Sequence, residues 1–376
     1  MQTSAIQHHL GQGWGELPVA WDSPNTLILV FGSREYATET SVFNDLARSF
    51  PNSHIVGCSS SGEIFGSEVF DKTLSVAVCR FDKTELKSAS RAISGPEESR
   101  TVARELAGEL QADNLSAVLI LSDGLCVSGS ELAAGFHEIL GDSLPISGGL
   151  AGDGDKFEKT WVLHQKSPAS SHVSAVGFYG SQVRFGNGCQ GGWDVFGPER
   201  KVTRAEGSRL FEIDGKNALQ VYKNYLGELA KDLPASALLY PLALRKDADD
   251  ENRFVRTILS VDEESQSLTF AGEIPEGYLA QLMHSNTDRL VDGAATAAEK
   301  AKIDSTELLT LAISCVGRRL VMGERTEEEV EAVADVLDNQ GVLVGFYSYG
   351  ELSPLANGKC ALHNQTMTLT TIGEVS

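Results

Sequence analysis

The stretches Gly57-Cys58-Ser59-Ser60-Ser61-Gly62-Glu63 and Gly345-Phe346-Tyr347-Ser348-Tyr349-Gly350-Glu351 share the pattern G-x-x-S-x-G-E, agreeing at four of seven positions. Each ends a short apolar run, at 54–56 and at 341–344. Upstream of the first lies an apolar strand at 27–31, a turn at Gly32-Ser33, and a helix marked by Val42, Phe43, Leu46 and Phe50 at 3.6-residue spacing. Pro51-Asn52 stops that helix. Strands at 74–80 and 86–93 complete the unit.

The same order returns from residue 118: an apolar strand at 118–121, a turn at Asp123-Gly124, and a helix opened by Ser128-Gly129-Ser130-Glu131. Serine and glutamate at that spacing satisfy each other's end donors as a capping box. Leu132, Phe136, Ile139 and Leu140 form its apolar face, and 145–147 leads into Gly148-Gly149-Leu150-Ala151-Gly152-Asp153-Gly154. Leu27 to Val118 and Gly57 to Gly148 are both offsets of 91 residues, which marks an internal duplication. A third copy has a strand at 311–314, a cap at Thr326-Glu327-Glu328-Glu329, and a buried helix face of Val330, Val333 and Leu337. The loop glycines suit strand-end turns needing positive φ. The same loops, if they converge, surround a pocket.

Between the second and third copies the pattern changes. Strands are expected at 173–179, 182–186 and 210–213, a helix at 218–229, and a hairpin of 255–261 with 267–271. A long helix from 277 to 302 is expected to bury Leu279, Leu282, Met283, Asn286, Leu290 and Val291, with His284 beside them. Glycines 186, 188, 191, 192 and 197 cluster, suggesting a boundary there. The division is therefore an extension at 1–25, a domain at 26–190 holding the duplication, and a domain at 191–376. The fold class is α/β (or α+β), with mixed sheets built from repeated strand–helix–strand units.

The 376 residues carry a net charge of −21, which repels phosphate backbones and anionic lipid surfaces and disfavours nucleic-acid or membrane-surface binding. The first ten residues lack the basic and apolar regions of a signal peptide, and no run reaches the ~18 apolar residues of a membrane span. The six cysteines form no C-x-x-C pair, arguing against a disulfide framework or structural zinc and for a reducing cytoplasm.

No standard catalytic motif is present. Residues 57–61 are not G-x-S-x-G, and the glycine-rich 149–154 is followed by a strand pattern rather than a phosphate-binding helix. Cys58 at a strand end could serve a hydrolase or transferase as a thiolate, but its repeat equivalents are Gly149 and Phe346, so the repeat does not require a thiol. Glu63, Asp153 and Glu351 could pair as acid and base; caps and ion pairs explain lone acids at turns equally well. The eight histidines form no H-x-x-x-H pair, but one histidine in an apolar pocket suffices for a haem iron, with His284 and His363 as candidates.

The loops 57–63, 148–154 and 345–351, with Leu362-His363-Asn364-Gln365-Thr366 closing the chain, resemble the FIST sensory domain family, from about residue 26 to 372. The resemblance implies a non-enzymatic cytoplasmic input module that binds a small molecule. It also implies a FIST N-terminal part at 26–190 and a FIST C-terminal part at 191–376. A chain without an attached output domain is similar to the stand-alone nitric-oxide-sensing haem proteins of this family, the NosP group. That likeness implies non-covalent haem b and a separate partner: a histidine kinase, or a cyclic-di-GMP synthase or phosphodiesterase. Self-association into a homodimer is also implied. The competing ligand is an amino acid or similar small metabolite, with Glu63, Arg256, Glu351 and Asn364 at its charged ends. The wider set expected at the pocket adds Cys58, Ser59, Ser61, Asp153, Tyr347 and Tyr349.

Overall fold

The apolar runs of the three repeats become the middle strands of three sheets. The computed structural model describes residues 1–250, 253–305, 307–338 and 340–375. The first unit comprises β1 (Gln2–His9), β2 (Thr26–Gly32), α1 (Thr40–Ser49), β3 (His54–Ser59), the hairpin β4–β5 (Glu63–Phe65, Glu68–Phe70) and β6 (Thr73–Arg80). The second comprises β7 (Glu85–Ala92), α2 (Ser99–Leu110), β8 (Leu115–Ser122), α3 (Gly129–Leu140), β9 (Ile146–Leu150), the hairpin β10–β11 (Val162–His164, Ser167–Ala169) and β12 (His172–Tyr179). The third opens with β13 (Val183–Gln190) and is then interrupted by an inserted body. That body holds β14 (Asp194–Glu206), β15 (Arg209–Ile213), β16 (Lys216–Asn217), α4 (Ala218–Leu226), β17 (Leu242–Arg245), β18 (Phe254–Arg256), β19 (Ile258–Asp262), β20 (Ser267–Phe270) and β21 (Leu279–His284). The third unit resumes with α5 (Thr287–Ala301), β22 (Leu309–Cys315), α6 (Val316–Met322), α7 (Glu327–Val336), β23 (Val342–Ser348), the hairpin β24–β25 (Gly350–Pro354, Cys360–His363) and β26 (Met367–Glu374).

Each unit has the same topology. Two strands run parallel across a helical crossover: β2 with β3, β8 with β9, β22 with β23. The last strand returns antiparallel to the first, and the opening strand pairs outside it. The hairpins, however, leave home. β4–β5 joins β23 of the third unit, β10–β11 joins β3 of the first, and β24–β25 joins β9 of the second. Each unit thus lends one hairpin and receives another, closing a ring of three six-stranded sheets.

The strands read as unbroken apolar runs because both faces are buried. Leu27, Leu29 and Phe31 face a central core shared with Leu119, Leu121, Leu311, Ile313 and Phe346, where the Phe31 and Phe346 rings stack at 4.8 Å. Ile28 and Val30 point outward beneath Phe43 and Leu46 of α1, and Val118 and Ile120 lie beneath α2 and α3. The expected division at 190/191 falls where the insertion begins, but it does not separate two cores: the sheet of β13 also holds β26 and β4. Within 1–25, β1 pairs with β6 along its length and so joins the first unit.

Three local expectations are corrected. The helix expected at 277–302 is two elements. Leu279, Leu282 and Met283 belong to β21, held between β14 and β17, and Asn286 starts α5 by accepting from the Arg289 N–H at 2.9 Å. His284 is therefore a strand residue, and it is exposed. Thr326 does not cap α7 through its side chain; its hydroxyl donates back to carbonyls of the preceding turn, and Glu329 is drawn inward to Arg318. Finally, Gly57 and Gly345 are not positive-φ turn residues. They are strand residues at which a Cβ would strike the carbonyl oxygens of Val30 and Ala312 on the neighbouring strand; Gly148 meets Ile120 in the same way.

The inserted body has its own core around Val202, Leu210, Tyr222, Leu244 and Phe270. It hangs from two adjacent connections, where the Ser285 hydroxyl donates to Gly192 O at 2.6 Å and the Trp193 indole to Gln365 O at 2.9 Å. Among the described residues, no helix is long and apolar enough to cross a membrane.

Candidate functional site

The three loops meet one another first. Ser61 N donates to Tyr347 O at 2.8 Å, Tyr347 N to Gly62 O at 2.9 Å, and Gly152 N to Ser59 O at 3.0 Å. The serine and glutamate shared by loops one and three make a common staple. Glu63 accepts from the Ser60 hydroxyl and from Thr73 N and Oγ1, both at 3.0 Å. Glu351 accepts from Ser348 Oγ at 2.7 Å and Thr366 Oγ1 at 2.8 Å. Both carboxyls therefore pin the turn that begins their unit's last strand. Burial pushes Glu63 up to about 8 and Glu351 up to about 7, with the hydroxyl donors opposing.

These protons are held more tightly folded than unfolded. The neutral carboxyls' contribution to stability is thus full below the ordinary carboxylate range and is lost as pH rises through about 7 and about 8. The double variant Glu63→Gln/Glu351→Gln should keep roughly 5 °C of melting temperature that the parent loses between pH 5 and pH 8.5. Equal pH slopes for the two proteins would show that these carboxyls are already ionised in the folded chain.

Beside the loops, the inserted body folds back over the second and third units and leaves a two-chambered cleft. The outer chamber encloses 830 Å³ between Gly207, Phe270, Gly272 and Glu273 of the insertion and Leu125, Gly129, Leu150 and Leu362 of the ring. The inner chamber, 230 Å³, lies between Thr257 and Ile258 of the insertion and Cys315, Val316 and Asn364 of the third unit. Phe157, Leu259, Ala271 and Tyr349 line both. Leu125, Phe157, Leu259 and Leu320 are among the few large apolar side chains left exposed, and all four line this cleft. Gathered apolar exposure of that kind marks an interaction site more than scattered exposure does.

The aromatic wall is built by Asp153. Burial alone would raise its pKa, but the Tyr349 hydroxyl and the backbone N–H groups of Lys159, Glu158 and Phe157 outweigh that and hold it low. These bonds fix residues 157–159 and bring Phe157 face to face with Tyr349, at 4.3 Å and 13°. Arg256 is buried behind the cleft, where it donates to Leu362 O at 3.0 Å, Val255 O at 3.1 Å and Glu273 O at 3.2 Å. Burial pushes its guanidinium down to about 10. It joins insertion to ring from the side.

The expected pocket set thus divides. Tyr349 and Asn364 line the cleft, Asp153 and Arg256 brace it, and Ser61 lines a separate cavity of 680 Å³ beside Arg319. Cys58, Ser59, Glu63, Tyr347 and Glu351 are corrected to interior positions, buried by the mutual packing of the loops. Burial raises the Cys58 thiol well above its ordinary range, which removes the reactive thiolate the enzyme reading required. The sequence reading missed Thr257, Phe157 and Ala271. Phe157 carried a signal, a lone aromatic within Asp155-Lys156-Phe157-Glu158-Lys159; Thr257 and Ala271 carried none. Of the two histidines, His284 lies beside Phe196 at 5.2 Å and lines none of these cavities. His363 lines a third chamber of 460 Å³ with Cys189, Trp193 and Met283. Among the described residues, no group of three His, Cys, Asp or Glu is arranged to hold a metal ion.

The FIST N domain model matches residues 26–216 and the FIST C domain model matches residues 218–354. An uncharacterized protein of Methanocaldococcus jannaschii is 24% identical over 376 residues, covering 89% of this chain and 70% of its own length. The first matched segment runs from β2 through the first two units and β13 into the opening strands of the insertion, and the second carries the rest of the insertion and the third loop. The chain belongs to the FIST family, whose domains are ligand-binding sensors of signal transduction.

Proposed function

We propose that this chain is a signal-input protein that binds a small metabolite in the two-chambered cleft and regulates a partner through the inserted body. The observation that carries this reading is the cleft itself. Apolar walls from two separate bodies meet at Asn364 and Thr257, whose buried Oδ1 and Oγ1 have no hydrogen-bond partner among the described residues. Pockets of this make-up, mostly apolar with a few placed polar groups, are the usual form of a ligand site. A ligand touching both bodies favours the closed arrangement by its differential affinity, which is all a sensor requires. The partner's class, a histidine kinase or a cyclic-di-GMP synthase or phosphodiesterase, is part of the proposal.

A screen of metabolites by thermal shift should find compounds that raise the melting temperature by a few degrees, as expected at about 100 times Kd. Ala271→Trp, which fills the junction of the chambers, should abolish the shift while the protein stays folded. A shift that survives Ala271→Trp sinks the cleft as the site.

One observation favours a second reading, haem with nitric oxide as the signal. His363 places Nε2 3.1 Å from Ser353 O, and burial lowers the ring's pKa. An imidazole that donates one N–H to a backbone carbonyl leaves its other nitrogen free as a ligand, the arrangement common behind metal-bound histidines. His363 would hold the haem, which when bound would supply the iron that takes nitric oxide. Haemin titration should then produce a Soret band lost in His363→Ala and kept in His284→Ala; no band with the parent protein ends this reading.

A further inference from the structure

We infer that the inner chamber selects an uncharged ligand that carries an N–H or O–H donor on a compact apolar body. This rests on the cleft reading and narrows it to a chemical class. Asn364 is 1% exposed, and its Nδ2 donates to His363 O at 3.0 Å. That bond fixes the amide orientation, so the atom left over is the carbonyl oxygen, an acceptor. Thr257, 4% exposed, supplies a hydroxyl without a partner among the described residues. The two residues come from different bodies, one before β19 in the insertion and one after β25 in the ring.

Among the described residues, no charged side chain lines the chamber. Its walls are side chains such as Leu238, Ile258, Val316 and Tyr349. A bound ammonium would have no counter-charge there, and a carboxylate no cationic partner; either burial is costly without one. Arg256 is not among the residues lining the chamber; its Nε donates to Glu273 O, its Nη1 to Val255 O and Leu362 O, and its Nη2 to Ser130 Oγ at 3.5 Å. A neutral N–H donor meets none of these penalties and satisfies the orphaned acceptor. The 230 Å³ equals the liquid volume of roughly eight waters, enough for a ring of similar atom count. Lactams and neutral nitrogen heterocycles have this chemistry.

The test uses the full chain and four size-matched probes: δ-valerolactam, N-methyl-δ-valerolactam, piperidine (a cation at neutral pH) and cyclopentanecarboxylate. By calorimetry and thermal shift at millimolar concentration, only δ-valerolactam should bind. Thr257→Val should weaken it a few-fold, and Asn364→Leu by about tenfold. Asn364→Asp, nearly isosteric, should transfer preference to piperidine by placing an anion where the amide oxygen stood. Binding of piperidine or the carboxylate to the parent as tightly as the lactam overturns the inference, as does binding of none of the four. The cleft reading fails separately, only if the ligands found by metabolite screening are indifferent to Ala271→Trp.

Discussion

Glu329→Ala is expected to lower the stability of the folded chain by about 3–5 kcal/mol, measured as a shift in the denaturant midpoint at unchanged slope. Arg318 and Glu329 are both fully buried, joined at 2.9 Å and 2.6 Å through Nε and Nη2 to a single carboxylate oxygen. The other oxygen accepts from Ser314 Oγ at 2.9 Å and the Tyr347 hydroxyl at 2.7 Å. Removing the carboxylate strands a guanidinium in the interior, and that stranded charge sets the size of the loss. Arg318 also donates to Leu290 O at 2.8 Å and to Gly191 O, so the damage reaches the connection into the inserted body. Replacing both partners with apolar residues, Arg318→Met/Glu329→Leu, should recover much of the loss, because no charge is then left unpaired. A cost below about 1 kcal/mol for the single variant would mean that water reaches the site.

The second large effect concerns the ring. A fragment ending at Gln190 contains two complete units, yet it should show no cooperative unfolding transition. It keeps the hairpin β4–β5 but loses β23, on which that hairpin is seated, and leaves β9 without β24. It also loses Leu311, Ile313, Val344 and Phe346 from the central core. The exposed apolar surface and unpaired edges make aggregation the expected fate. Deleting 194–284 and bridging Trp193 to Ser285 with a short glycine-rich loop should, by contrast, leave a ring that unfolds cooperatively. Near-ultraviolet circular dichroism and denaturant titration distinguish the two constructions, and a folded 1–190 fragment would show that the units do not depend on exchange.

The strand–helix–strand units were legible because buried parallel strands must be apolar on both faces, so 27–31, 118–121 and 311–314 stand out against any surface pattern. The exchange of hairpins was not legible. Strands as short as Glu63–Phe65 and Val162–His164 carry no composition that names their partner, and pairing at such sequence distances is decided by tertiary packing. Residues 279–284 satisfy helical spacing through Leu279, Leu282 and Met283, while the signal that a helix only begins later, the N-cap Asn286, lies inside the expected span. The loop glutamates drew attention by repetition, and repetition here reflects a staple common to the first and third copies. The cleft is unrepeated. Its walls come together only because the insertion folds back, so Thr257 and Ala271 are ordinary residues until the fold places them.

A ring in which every unit lends a hairpin to its neighbour is also the arrangement that three separate copies of one chain would adopt under cyclic symmetry. Covalent fusion changes what such a ring can do. In a homotrimer, any substitution appears at all three joints, and any binding site arises in triplicate. In the fused chain each joint varies alone, and only the third unit carries the inserted body. On the proposed reading the cleft serves each ring once, and its occupancy is expected to follow a simple hyperbola with a Hill coefficient near one for each chain. A receptor of that kind would respond in proportion to its ligand over roughly two decades of concentration, where a symmetric trimer of coupled sites would respond as a switch.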